Sequence, residues 1–136
     1  MSVERFNPPT LLKPHGYAHA VAVTGGTTVY LSGQVPADVE GNLVGAGDYA
    51  AQAEQAMLNL NHAVEGAGGS AKDLVKLTVY VVDHSEENEE QAMKGFAAAA
   101  RQTGLRPIAT MLIGVGALGL PGALVEVDGI AVINHD

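Results

Sequence analysis

The sequence contains no cysteine and no tryptophan, and aromatic residues make up only 4% of it. The absence of cysteine excludes disulfides, thiolate nucleophiles and cysteine-based zinc sites. The 136 residues are 47% apolar, which is enough for a folded core without cross-links. These counts predict one globular domain over residues 1–136, and they fit a cytoplasmic location because a reducing compartment does not sustain disulfides.

Basic residues are also scarce. Seven Lys and Arg residues stand against fifteen Asp and Glu residues, so the formal net charge is −8. A chain with this balance offers no basic surface on which a nucleic-acid backbone or an anionic membrane could dock. We therefore expect neither nucleic acid nor a membrane among its partners.

One uncharged stretch, residues 107–125, is long enough to be a candidate membrane span. Four glycines and Pro121 interrupt it, so it is predicted to form two strands, at 108–118 and 123–133, joined by a turn. Residues 1–5 lack the basic and apolar segments of a signal peptide, so export is not indicated.

Short β-favouring segments occupy much of the rest of the chain. Residues 18–23 and 27–32 flank Gly25 and Gly26, a pattern typical of a β-hairpin. Residues 74–82 alternate apolar and polar side chains and are predicted to form a further strand.

Two helices are predicted from apolar residues at three- and four-residue spacing. The first covers about 48–67, with Asp48 as its N-cap. The second begins after Ser85, where four glutamates complement the helix dipole, and ends at Gly104. Its buried stripe is predicted to consist of Ala92, Met93, Phe96, Ala97 and Ala100.

The element order, β-β-(short β)-α-β-α-β-β, in which the short strand is predicted at residues 43–44, predicts the α+β class. Each helix has one apolar stripe, so both helices are expected to pack on one face of a mixed sheet. The segments 18–23 and 124–133 carry apolar residues at both odd and even positions, that is, on both faces of the strand. The opposite face of the sheet is therefore expected to contact another subunit, which predicts a homo-oligomer.

The five histidines do not form a recognisable metal motif. His15 and His19 are four residues apart, which is about 13 Å in an extended chain and too far for one small ion. Loop or edge histidines are therefore favoured over metal ligands. His62, His84 and His135 have no evident partner. Phosphate-binding glycine loops and nucleophile elbows are also absent, and we expect no metal and no cofactor.

An acidic residue, Glu126, interrupts an apolar strand. A carboxylate is rare in such a strand unless it faces solvent, is paired or has a function. One interpretation, which the sequence alone favours, is an alternating strand whose Glu126 and Asp128 face solvent or a salt-bridge partner. The other is a carboxylate in a cleft between subunits, with its pKa raised by apolar walls, that holds a water molecule and moves its proton.

Four segments, in order and spanning nearly the whole chain, resemble the Rid family, also called the YjgF-like proteins. They are HGYA at 15–18, VYLSGQVP at 29–36, LTVYVVD at 77–83 and LVEVDGIAV at 124–132. The resemblance implies a chorismate-mutase-like α+β subunit that forms homotrimers with ligand clefts between subunits. It also implies cofactor-free hydrolysis of reactive enamines and imines, released by pyridoxal-phosphate enzymes, to 2-oxo acids and ammonia. The implied partners are a small metabolite and further copies of the chain.

The resemblance also assigns roles to single residues. Tyr17 matches the tyrosine that lines the family's cleft, and Ser32 matches the serine at the end of the second strand. Glu126 matches the glutamate that positions the hydrolytic water. Ser85 stands where the family has an asparagine. Thr110 stands where catalytic members carry an arginine that binds the substrate carboxylate in bidentate fashion.

The threonine at position 110 predicts poor binding of 2-imino carboxylates, because losing a desolvated bidentate pair weakens binding strongly. Arg106 lies four residues upstream, beyond Pro107, and reaches the cleft only if its loop folds over it. A surface-loop arginine is the simpler interpretation of that residue.

Two functions are therefore left open. One is hydrolysis of a small neutral or differently anchored imine or enamine, with Glu126 as the catalytic residue. The other is a non-catalytic trimeric module that binds a small molecule or a protein. Ribonuclease activity, which is attached to some members of the family, ranks last because the acidic charge opposes RNA binding.

Overall fold

The computed structural model describes residues 1–134. Its elements are β1 Ser2–Phe6, β2 Ala20–Thr24, β3 Thr27–Gln34, α1 Tyr49–Gly66, a short 3-10 helix at Ala71–Asp73, β4 Leu74–Val82, α2 Glu86–Thr103, β5 Ala109–Val115 and β6 Val125–Ile133. The predicted strand at 74–82 and both predicted helices are present with nearly the predicted bounds.

Four strands form one mixed sheet in the order β3-β6-β4-β5. β6 pairs antiparallel with β3 and β4, whereas β4 and β5 are parallel. The consecutive strands β5 and β6 are thus separated by β4. Both helices pack on one face of this sheet, against the alternate residues of β4 and β6 that include Leu77, Val79 and Val127. The predicted α+β architecture with both helices on one face is confirmed.

The predicted hairpin between residues 18–23 and 27–32 is wrong. β2 pairs antiparallel with β1 and does not pair with β3. The Ala18 N–H donates to the Ile108 carbonyl over 2.9 Å, at the β5 edge of the sheet, whereas β3 lies at the opposite edge. The chain therefore crosses the width of the sheet between residue 18 and the start of β3, and β2 does not lie alongside β3.

No pattern in the sequence predicts β1, which is five residues long and contains two charged side chains. The Arg5 Nε donates to the Pro107 carbonyl over 2.8 Å, which ties the β1–β2 ribbon to the segment before β5. The chain turns from β2 into β3 at Gly25 and Gly26, whose φ angles of 82° and 78° lie in the left-handed region that glycine adopts readily.

The predicted helix ends are confirmed. The Asp48 carboxylate accepts the Ala51 N–H over 3.0 Å, and the Ser85 hydroxyl accepts the Asn88 N–H over 3.0 Å. These bonds satisfy backbone donors that have no partner within the first turn of a helix. Gly104 ends α2 with a φ of 76°.

The buried face of α2 is turned relative to the predicted stripe, because Met93 and Ala97 are exposed. Its buried residues are Ala92, Gly95, Phe96 and Ala99. Gly95 allows the close approach of the two helices, since a Cβ there would collide with the backbone carbonyl of Ala50. This contact turns Met93 and Ala97 away from α1.

The sheet face opposite the helices, called the open face below, carries exposed apolar side chains. Tyr30 is 80% exposed and Met111 is 51% exposed, on strands at opposite edges of the sheet. Such a surface agrees with contact to another subunit, which stays a prediction. None of the helices in residues 1–134 is long and apolar enough to cross a membrane.

Candidate functional site

Two carboxylates and a phenol lie together on the open face. Tyr80 of β4 pairs with Glu126 of β6, and Asp128 lies two residues further along β6 on the same side. The Tyr80 hydroxyl donates to Asp128 Oδ2 over 3.2 Å. Burial, followed by the negative charges of Asp128 and Glu126, raises the pKa of Tyr80. The phenol therefore stays protonated at neutral pH and acts as a donor.

β3 contains a bulge next to Glu126. The register between β3 and β6 shifts between Leu31 and Gln34, so Ser32 and Gly33 form the bulge. A Cβ on Gly33 would collide with the Glu126 carboxylate, so the glycine provides the room that this side chain occupies. The structure thus brings the predicted site residues Ser32 and Glu126 into one neighbourhood.

The Glu126 carboxylate is half-buried and has no hydrogen-bond or ion-pair partner in the part of the chain that the structure describes. The strand does alternate, as the solvent-facing interpretation expects, but it supplies no salt bridge to Glu126. Both carboxylate oxygens are therefore available to accept hydrogen bonds from water or a ligand.

We expect Gly33→Ala to displace the Glu126 carboxylate while the fold stays intact. Gly33 has no positive φ, so alanine suits its backbone, and the added methyl group pushes aside only the flexible end of the glutamate. Any reaction that depends on Glu126 should slow by about tenfold or more, because catalysis is sensitive to ångström-scale misplacement. Gly116→Ala is the matched control, since nothing lies within 4 Å of a Cβ there. Equal activity of the two variants in a turnover assay would contradict this role of Gly33.

Thr110 and Tyr17 lie at the β5 edge of the sheet. Thr110 pairs with Leu77 and shares its helix-facing side, and its hydroxyl donates to the Ile108 carbonyl over 2.9 Å. Tyr17 immediately precedes Ala18, which forms an isolated β-bridge with Ala109 at the start of β5. Its ring is half-buried and meets the His19 ring edge-on, with 5.3 Å between the ring centroids.

An apolar pocket of about 340 Å³ opens between α2 and β5. The buried side chains of Leu77 and Phe96 form part of its wall, and Thr110 also lines it. The exposed residues Arg106 and His15 lie at its rim. The Arg106 loop therefore does border the region of Thr110, a geometry that the simpler surface-loop interpretation does not include.

Residues 10–133 match the family model described as Endoribonuclease L-PSP. The chain belongs to this family. Among structures, it is 37% identical to YyfB from Yersinia pestis, described as a protein of unknown function of the conserved Rid family, with a TM-score of 0.86 over 98% of this chain and 100% of that one. YjgF from Escherichia coli is 27% identical, with a TM-score of 0.70 over 94% of each chain. A 2-iminobutanoate/2-iminopropanoate deaminase from Dermatophagoides farinae is 34% identical over 98% of this chain and 100% of its own length. The predicted Rid-family resemblance is confirmed.

In this Rid-family chain, the four predicted site residues form two separate groups. Ser32 and Glu126 adjoin on β3 and β6, whereas Tyr17 and Thr110 lie along the β5 edge. Two strand spacings, or about 10 Å, separate β5 from β6. Thr110 also faces the helices, while Glu126 lies on the open face. One copy of the chain therefore does not gather all four residues into one pocket.

His62 and His84, whose partners are not evident in the sequence, each have one in the structure. Each has a ring nitrogen 3.0 Å from a glutamate carboxylate, that of Glu65 and Glu89 respectively. His135 lies outside the described residues. Within residues 1–134, no three metal-ligating side chains of His, Cys, Asp or Glu come together.

No sequence pattern singles out Gln52, which is fully buried on α1. Its amide nitrogen donates to the carbonyls of Gly45 and Gly122, each over 3.2 Å, and its carbonyl accepts the Leu124 N–H over 2.6 Å. These bonds hold the loop that leads into β6 and therefore fix the start of the strand that carries Glu126. The only sequence signal for its burial is its position next to the apolar residues of the helix. Helical periodicity is read from apolar residues, so it does not predict whether a glutamine is buried or exposed.

Proposed function

We propose that this protein hydrolyses small reactive imines or enamines without a cofactor, with Glu126 as the catalytic residue. The observation that carries the proposal is the unpaired Glu126 carboxylate next to the Ser32–Gly33 bulge. A carboxylate in this position is able to bind a water molecule and accept its proton. The family and the relative named as an imine deaminase support this class of reaction.

In the proposed reaction, the water held by Glu126 attacks the imine carbon. A C–O bond forms, the π electrons of the C=N bond move to nitrogen, and Glu126 accepts a proton from the water. That proton then passes to nitrogen and gives a carbinolamine. Glu126 next accepts the proton of the carbinolamine hydroxyl and donates it to nitrogen, the C=O bond forms as the C–N bond breaks, and a carbonyl compound and ammonia leave with Glu126 again ionised. Ser32 and backbone amides orient the substrate and stabilise the developing charge. No electrons are gained or lost, so the reaction needs no redox partner.

The proposed active site lies between two copies of the chain. Thr110 and Glu126 of one copy face opposite sides of the sheet, so a cleft that contains both residue types takes them from different subunits. The homotrimer implied by the resemblance supplies clefts of this kind. Tyr17 and Thr110 then belong to the substrate-binding wall, and Ser32 and Glu126 to the side that delivers water.

The test is a competition assay in which an amino acid oxidase generates an imine and semicarbazide traps it. Active protein lowers the yield of semicarbazone and raises the rate of ammonia release, whereas Glu126→Gln does not. Because Thr110 is neutral, we expect 2-iminopropionate to be a poor substrate, and rapid turnover of it would contradict that expectation. Absence of turnover with every imine in a graded series would refute the proposed reaction.

A non-catalytic binding module is the second candidate, and the pocket between α2 and β5 is the observation that favours it. A concave apolar pocket of this volume suits a small ligand whether or not the ligand reacts. In a thermal-shift screen, a ligand that stabilises the wild type and Glu126→Ala equally, without turnover, would favour this candidate over hydrolysis.

A further inference from the structure

We infer that the site around Glu126 selects cationic substrates, so that its imines are iminium ions without a carboxylate. This inference rests on the proposed function and names the substrate class of the same site. The reaction that supplies such a substrate is the oxidation of a primary amine, in which two electrons and two protons pass to an acceptor such as O2. The relative from Dermatophagoides farinae is named instead for two imino carboxylates.

The charges next to the site are negative. Asp128 lies two residues from Glu126 on the same side of β6, or about 7 Å along the strand. Within residues 1–134, neither carboxylate forms an ion pair, and the Tyr80 hydroxyl is the one group that donates to Asp128. Two carboxylates that no cation neutralises give this part of the open face a negative potential, which attracts a cation and repels an anion.

Basic side chains are scarce around the site. The four strands of the sheet contain a single basic residue, Lys76. It lies four residues before Tyr80, the pairing partner of Glu126, which is about 13 Å along β4. The residues that the proposed function assigns to the opposite wall, Tyr17 and Thr110, carry hydroxyl groups. In the described strands, therefore, no cation lies beside Glu126 to bind a substrate carboxylate.

The Tyr80 ring offers a second contact for a cation. Tyr80 pairs directly with Glu126 across β4 and β6, so their Cβ atoms lie about 5 Å apart. Its hydroxyl is bound to Asp128, which orients the half-buried ring. The face of an aromatic ring attracts a cation, and an ionised carboxylate binds N–H donors that carry positive charge more strongly than neutral ones. A planar iminium group is therefore suited to lie between the ring and the carboxylate.

A positively charged nitrogen also favours the proposed hydrolysis, because protonation makes the imine carbon more electrophilic. Water attack forms the C–O bond, the π electrons move to nitrogen, and Glu126 accepts the proton that the water loses, which gives a neutral carbinolamine. Glu126 then donates that proton to nitrogen and accepts the hydroxyl proton as the C–N bond breaks. It passes the last proton to the departing ammonia, so a carbonyl compound and an ammonium ion leave.

Equilibrium binding tests the charge preference apart from turnover. Benzamidine, benzamide and benzoate have nearly the same shape, but they are a cation, a neutral molecule and an anion. In calorimetry on the full chain, we expect benzamidine to bind about tenfold or more tightly than benzamide, because hydrogen bonds to charged groups are stronger than neutral ones. Benzoate should bind most weakly. Equal affinities for the three probes, or tightest binding of benzoate, would overturn the inference.

Variants at two positions locate the preference. Glu126→Gln should bind benzamidine and benzamide with similar affinities, because the carboxylate that distinguishes them is gone. Tyr80→Leu should weaken benzamidine about threefold or more, whereas Tyr80→Phe keeps the ring and should retain the affinity. If Tyr80→Leu weakened benzamide as much as benzamidine, or if Tyr80→Phe lost the same affinity as Tyr80→Leu, the role of the ring as a cation contact would be overturned.

Turnover compares two imines that differ by one carboxylate. A flavin-dependent amine oxidase makes the imine of benzylamine, an amino acid oxidase makes that of phenylglycine, and semicarbazide traps both. We expect kcat/KM to be at least about tenfold higher for the benzylamine imine, with Arg106→Gln leaving it unchanged.

The outcomes separate this inference from the proposed function. Faster hydrolysis of the phenylglycine imine, above all if it depended on Arg106 at the pocket rim, would keep the hydrolysis and overturn the inference. Charge-ranked binding that depends on Glu126, without turnover of any imine, would refute the hydrolysis and keep the ligand class.

Discussion

Glu126→Gln is expected to lower kcat for imine hydrolysis by about 100-fold or more, since general-base catalysis contributes on that scale. Glutamine has the same shape as glutamate, but its amide does not accept a proton from water. Glu126 forms no hydrogen bond or ion pair within residues 1–134, so the substitution breaks no contact of the fold. We therefore expect the melting temperature to change by only about 2 °C or less, as for an ordinary surface substitution. Steady-state kinetics and thermal unfolding of the same preparation check both values.

Asp128→Asn is the matched control for this loss of charge. Asp128 lies two residues along the same strand and already accepts the Tyr80 hydroxyl, a bond that asparagine is able to keep through its carbonyl oxygen. We expect its kcat to stay within about threefold of the wild type, well below the loss that removal of a general base produces. If the two variants lost activity equally, the effect would come from the charge of the open face and not from proton transfer by Glu126.

The local features of the fold were predictable because each depends on residues close together in the chain. Asp48 and Ser85 cap their helices through bonds to residues three positions away, and the left-handed φ of Gly104 ends α2. The strand at 74–82 follows from its alternation, which one covered and one open face require. These patterns can be recognised in the sequence without knowing which distant segment each element contacts.

The errors arise where distant contacts decide the structure. The pairing of β2 with β1 depends on where residue 18 meets β5, which lies about 90 residues away in sequence. The rotation of α2 about its own axis, which decides which of its residues are buried, depends on the close contact of Gly95 with Ala50. Helical periodicity does not include that contact. Periodicity predicts that a residue is on a face, and the partner decides which face is buried.

The candidate site also has a part that the sequence predicts and a part that only the fold shows. The pattern of β6 and the family resemblance both single out Glu126, and its neighbourhood with Ser32 follows once β3 and β6 pair. The position of Arg106 does not follow from any motif, because its distance from Thr110 depends on the loop between α2 and β5. Only the fold shows that both residues line one pocket. A sequence motif therefore indicates which residue types are present, and the structure is needed to show which of them adjoin.

Gln52→Leu is expected to lower the free energy of unfolding by about 3 kcal/mol or more, because it leaves buried backbone groups without partners. The lost bonds are those to the Gly45 and Gly122 carbonyls and from the Leu124 N–H. Gln55→Leu is the matched control and should cost about 0.5 kcal/mol, since within residues 1–134 the Gln55 amide bonds only to Asn59 on the same helix.

Urea unfolding of the two variants and the wild type measures the difference. Gln52→Glu keeps the acceptor for Leu124 but loses the amide donor and buries a carboxylate, so it should be at least as unstable as Gln52→Leu. A Gln52→Leu protein as stable as Gln55→Leu would mean that the loop before β6 is held by other contacts. Because that loop leads into the strand of Glu126, loosening it should also raise KM and lower kcat for imine hydrolysis at temperatures where the protein is still folded.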